Sequence, residues 1–279
     1  MKASLAVKTG TLLAALLPGL LLADNGQDTE SADSEQETEE QGGPPMSRDR
    51  EGWTVTVGAA GMVMPNYTGA RNYQNRALPW LDIRYGNNIQ FSAIQGLRYT
   101  AIRQGGLEAG PYLHYQGGRR DRGAIRDFDN VSGGAVAGGF LQYRLALLQF
   151  SLDVGNAFTG DISGTRVQAG MTVNGFIGRS VLFGVGPRVT WYSQNWNQGQ
   201  FGVSNSDAAA AGIDSYDTGR GFSEFSLNTR FTWLISENLN LTTFMAYRRV
   251  TNDAADSPIV DELGDPNQGL FGVVLGYTF

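Results

Sequence analysis

The stretch Glu224-Phe225-Ser226-Leu227-Asn228-Thr229-Arg230-Phe231-Thr232-Trp233 decides the fold. Polar residues hold every even position and apolar ones the odd positions, with Thr229 the single exception. A period of two puts one set of side chains on each face of a strand. Arg166 to Asn174, Leu148 to Val154 and Phe271 to Phe279 repeat the pattern. No segment shows the 3.6-residue period of a long amphipathic helix.

A soluble sandwich alternates too, so further features choose between it and a membrane barrel. Strand-length segments recur from Trp53 to Phe279, and the turns between them alternate between tight and long. The tight ones are Gly86-Asn87-Asn88, Gln104-Gly105-Gly106, Gly178-Arg179-Ser180 and Ser236-Glu237-Asn238. The long ones run from Met64 to Leu78, Gly117 to Ser132, Gln194 to Arg220 and Thr251 to Gly269. Trp53, Tyr85, Trp191, Tyr192, Trp233 and Tyr247 sit near segment ends, as interfacial girdles require. The last strand ends on Phe279, two residues after Tyr277, in the manner of the C-terminal signal read by the barrel-assembly machinery.

The expected fold is therefore all-β: an antiparallel up-and-down transmembrane barrel over 52–279. Twelve segments are read, at 53–63, 77–85, 89–94, 97–103, 106–116, 134–144, 147–158, 164–176, 181–192, 222–235, 239–250 and 269–279. Ten strands is the alternative. An even count keeps both ends in the periplasm and requires a turn at Gln95-Gly96.

Residues 1–23 read as a secretory signal peptide. Lys2 and Lys8, the only lysines, precede the apolar run Leu12 to Ala23. Residues 24–51 hold ten acids against Arg48 and Arg50 and no aromatic residue, the composition of a disordered periplasmic segment. It is either a solvated spacer or a tether for a basic partner. From Gly52 onward 17 acids balance 17 arginines, so the formal charge of −6 belongs to the segments before the barrel.

Composition excludes several functions. The chain has no cysteine, which removes disulfides, thiolate metal sites and lipoprotein processing. A single histidine, His114, argues against a zinc site. The acidic balance argues against nucleic acid. No catalytic residue, metal or cofactor is expected: His114 is the only histidine base and lies on a lumen face, without a nucleophile in a recognisable setting.

With apolar residues facing lipid, the lumen should carry Asp82, Arg84, Arg98, Glu108, His114, Arg144, Asp153, Arg166, Arg188, Glu224, Arg230 and Arg248. Two outcomes are open: a salt-bridged plug, or a narrow arginine-lined pore for small polar solutes. Arg119, Arg120, Arg122 and Arg126 in one long loop are candidates for gripping lipopolysaccharide phosphates. Asp253, Asp256, Asp261 and Glu262 in another are candidates for cationic peptides or a divalent ion.

Pro65-Asn66-Tyr67-Thr68-Gly69 with Tyr73 and Pro79 resembles the first hairpin of the MipA/OmpV family of outer-membrane barrels. Tyr115-Gln116-Gly117-Gly118-Arg119, Phe201-Gly202-Val203-Ser204 and Asp256-Ser257-Pro258-Ile259-Val260 extend the resemblance in order across the barrel. It implies a bacterial outer-membrane protein in contact with lipid and lipopolysaccharide. It further implies a scaffold between a murein lytic transglycosylase and a bifunctional penicillin-binding protein. Other members are described as adhesins or in responses to cationic antimicrobials and envelope stress. The tight turns alone are too short for a standard docking surface of about 800 Å² per partner.

Overall fold

The computed structural model describes residues 52–279. The signal peptide and the acidic segment lie outside the described residues. Among the described residues, thirteen strands form one antiparallel sheet: β1 (Trp53–Pro65), β2 (Tyr73–Tyr85), β3 (Ile89–Ser92), β4 (Gly96–Tyr99), β5 (Ile102–Gln104), β6 (Leu107–Gln116), β7 (Gly134–Leu145), β8 (Leu148–Ala157), β9 (Gly164–Ile177), β10 (Val181–Tyr192), β11 (Gly221–Leu234), β12 (Leu239–Val250) and β13 (Asn267–Thr278). Short helices α1 (Gln194–Phe201), α2 (Asn205–Ala211) and α3 (Pro258–Asp261) interrupt the long loops.

The sheet closes on itself. β1 pairs with β13 from Thr56↔Thr278 to Val63↔Phe271, and β4 pairs with β6 through Leu97↔Leu113 and Arg98↔Tyr112. β4 and β5 are one stave, because both lie along β6. Their register steps by one residue between Arg98↔Tyr112 and Ile102↔Ala109, a bulge at Thr100-Ala101. The wall therefore has twelve staves, an even number as parity demands. The turn Ala93-Ile94-Gln95 separates β3 from β4, with Ser92 Oγ accepting from Gln95 N at 3.0 Å.

β2 begins four residues before its expected start at 77, pairing Tyr73 with Pro65, so the first long connection is shorter than its sequence suggests. Asn75 and Arg76 break the apolar alternation there and read as loop.

One face of the wall is apolar and exposed: Leu97, Leu113, Leu141, Leu152, Leu227, Met245 and Leu275 all face outward. Trp53 and Tyr85 meet at 4.8 Å between ring centroids at the tight-turn end, where an interfacial girdle belongs. All the long loops gather at the opposite end.

The dry core lies among those loops. Tyr67, Ile125, Phe128, Ile162, Trp196, Phe201, Val203, Ile259 and Val260 are buried together, and the cluster continues onto inward-facing Tyr112, Val136, Phe140 and Tyr192. Such a cluster is a cap seated in the mouth of the barrel. α1 and α2 are short and have no long apolar stripe, so packing within the cap holds them. Ser204 Oγ caps α2 by accepting from Asp207 N at 3.1 Å, and Gly212, at φ 71°, ends it.

Candidate functional site: the lumen and its cap

Strand register fixes which side chains meet inside. Arg98 Nη2 pairs with Asp153 Oδ1 at 3.2 Å and lies 4.0 Å from the centroid of Phe140. Arg248 Nε pairs with Glu224 Oε2 at 3.2 Å, and Tyr192 OH donates to Glu224 Oε1 at 2.9 Å. Arg84 Nε meets Asp82 Oδ1 at 2.9 Å. Glu108 is 3.4 Å from Arg103, an arginine absent from the sequence-based lumen set. Each lumen carboxylate thus holds an arginine, and the arginines outnumber them.

Arg166 takes neutral partners. It donates to Gln116 Oε1 at 3.0 Å and lies 3.1 Å from His114 Nε2. A guanidinium has no acceptor, so that nitrogen of His114 accepts and carries no proton. The Arg144 and Arg230 guanidiniums have no hydrogen-bond or ion-pair partner among the described residues, and that of Arg188 has only the longer-range attraction of the Asp153 carboxylate. Arg84, Arg98, Arg103, Arg144 and Arg230 line a polar cavity of about 320 Å³ at the tight-turn mouth.

At the other mouth the cap joins the lumen. Trp196 is fully buried, stacks on Tyr192 at 5.5 Å with 6° between planes, and lies 5.3 Å from the Arg166 guanidinium. Ser257 Oγ donates to Phe201 O, and Gln268 Nε2 to Ala70 O at 2.8 Å, tying three loops together.

Arg119 corrects a sequence-based expectation. It does not face outward to phosphate. Its side chain is 7% exposed, donates Nη1 to Gly202 O at 3.0 Å and stands 3.9 Å from Asp207. A guanidinium in a loop reads as solvent-facing until the loops are known to fold onto one another. Burial lowers its pKa, opposed by the Asp207 carboxylate. Arg120, Arg122 and Arg126 are exposed, as are Asp253, Asp256, Asp261 and Glu262. Asp253 Oδ2 accepts from Gly219 N at 3.1 Å, so it braces the neighbouring loop.

Tyr67 gives the cap an alkaline limit. Its hydroxyl donates to Ile259 O at 3.2 Å, and burial raises its pKa to about 12. The folded cap holds that proton more tightly than the unfolded chain, whose tyrosines titrate near 10. The stabilisation is therefore complete below pH 10 and is lost as pH rises through 12. Protease cleavage of the cap loops should rise over that interval, and Tyr67→Phe should flatten the rise. An unchanged profile in Tyr67→Phe would show that another group sets it.

A family model described as MltA-interacting protein MipA matches residues 57–279, which takes in the cap and all of the wall but the first four residues of β1. The chain belongs to the MipA family. Outer membrane protein OmpV of Vibrio cholerae serotype O1 is 33% identical over 91 residues, which is 33% of this chain and 34% of that protein. The match thus spans about a third of that relative's length. Among solved structures, NanC porin aligns at TM-score 0.43 and 8% identity, over 79% of this chain and 98% of that one. KdgM porin aligns at 0.38 and 8%, over 80% and 99%. OmpT of Vibrio cholerae aligns at 0.37 and 7%, over 85% and 99%. Likeness at this level carries no functional inference. As a MipA-family member, the chain is an integral outer-membrane barrel. Its sequence gives little warning of Trp196 and Asp207 as cap residues; for Trp196 the only signal is a bulky apolar side chain inside an otherwise polar loop, and for Asp207 there is none.

Proposed function

We propose that this MipA-family barrel is a non-enzymatic docking element for cell-wall enzymes. Its partners are a lytic transglycosylase and a penicillin-binding protein at the tight-turn end. The observation that carries the reading is the family match, which covers the barrel from residue 57 onward and carries an interaction partner in its description. The cap supports it: a mouth filled by a dry core suits a fixed platform better than an open channel. The tight turns offer little area, so the acidic segment 24–51 supplies the rest of the contact.

Crosslinking in whole envelopes, followed by capture and mass spectrometry, tests this. Recovery of a lytic transglycosylase and a penicillin-binding protein is expected. Deleting 24–50 should reduce it, and so should salt, since screening shortens from about 10 Å at 0.1 M to about 3 Å at 1 M. Capture of neither enzyme by the full chain would remove the reading.

A second reading rests on its own observation. Arg144 and Arg230, facing the lumen without a carboxylate partner, suit a narrow anion-favouring passage that opens when the cap parts.

A further inference from the structure

The barrel wall is incomplete on one side. Ala93 N donates to Leu81 O, so the odd-numbered residues of β2 turn their backbone groups toward β3. β3, however, pairs only with Asp82 to Tyr85. Above it, Tyr73, Asn75, Ala77 and Pro79 face no described strand. Across the gap β6 rises to Gln116, while its last pairing with β4 is at Leu113. Two staves are missing over this height. Three strand spacings then separate β2 from β6, about 14 Å.

An open sheet edge is costly in hydrocarbon, where no water meets its donors. Pro79, on the open edge, has no N–H to leave unmet. The side chains beside the gap also differ from the charged lumen lower down. Register places Leu78 opposite Ala60 and Trp80 opposite Gly58, on the inward face with Val274 and Phe244. An apolar slot therefore runs inward from the gap, where arginines and carboxylates line the wall lower down.

Above the slot, two cations converge. Arg76 Nε at 3.1 Å and Arg122 Nη1 at 3.2 Å both donate to Gln74 Oε1. Neither has a carboxylate partner among the described residues. Paired guanidiniums suit phosphate oxygens. They stand at the long-loop end, which in outer-membrane barrels faces outward.

We propose that the gap is a lateral portal that seats a phosphate-bearing glycolipid of the outer leaflet, lipid A. One acyl chain lies against Leu78 and Trp80, and a phosphate bridges Arg76 and Arg122. A partner β-strand would satisfy the open edge but leave the apolar slot and both guanidiniums without complement.

The absence of cysteine allows a direct test. Leu78→Cys is spin-labelled in liposomes and compared with outward Leu152→Cys and inward Gln149→Cys. The Leu78 label should collide with membrane-dissolved oxygen as the Leu152 label does, although its side chain points inward. In parallel, native mass spectrometry measures retained diphosphoryl lipid A. Arg76→Gln with Arg122→Gln should lower retention at least tenfold, with the heat-dependent gel shift of the folded barrel unchanged. The unmodified protein should retain dioleoyl phosphatidylglycerol at least tenfold less. A Leu78 label in water like that at Gln149 would overturn the portal. Equal lipid A retention by the double variant, equal retention of phosphatidylglycerol, or a two-chain complex in place of a lipid adduct would overturn the ligand.

Discussion

The unmodified barrel should pass little or no steady current, and Trp196→Ala should make it conduct. Trp196 is fully buried and links three parts of the molecule: α1, the end of β10 through Tyr192, and the lumen through Arg166. Truncating a buried tryptophan costs about 3–5 kcal/mol in lost contacts and cavity. That cost falls on the cap, because the wall ladders do not depend on this side chain. Residual selectivity should favour anions, since Arg144 and Arg230 have no carboxylate partner inside and the lumen arginines outnumber its carboxylates. Planar-bilayer recordings check both points. A variant as silent as its parent, with cap loops equally resistant to protease, would show that closure lies deeper in the lumen.

The second large effect is expected at Arg119. Arg119→Ala removes two bonds to backbone carbonyls and the ion pair with Asp207, whose side chain is 6% exposed. Breaking one partner of a buried pair costs about 3–5 kcal/mol, because the other charge stays buried and unpaired. Asp207 also accepts from the backbone of Asp129, so the loss loosens the β6–β7 loop against α2. Adding Asp207→Ala should return part of the loss, which a double-mutant cycle on cap unfolding would measure. Strictly additive losses would mean that the two side chains act independently at their 3.9 Å separation.

The wall is legible in the sequence because period-two alternation survives wherever one face meets lipid and the other meets charge. Phe225, Leu227 and Phe231 announce their face by spacing alone. The cap is not legible, for a physical reason. Its helices span eight, seven and four residues, too few for a period to emerge. Its core is assembled from residues far apart in sequence, such as Tyr67 and Ile259. Arg119 is misplaced by sequence reasoning for the same cause, since nothing local distinguishes it from exposed Arg120. The lateral gap does leave a trace: the two segments at 89–94 and 97–103 are shorter than their neighbours.

The cap also orders events in time. Tyr67, Phe128, Phe201 and Ile259 come from four different loops, and no pair is adjacent in the chain. They meet only after the staves have come into register and β13 has reached β1. Each loop must first reach the outer side of the membrane before its short helices can pack on those of the others. Contacts this distant in sequence are slow to form. The newly inserted barrel therefore passes through an interval with its wall complete apart from the gap, its arginines in reach of outside water, and its mouth not yet stoppered.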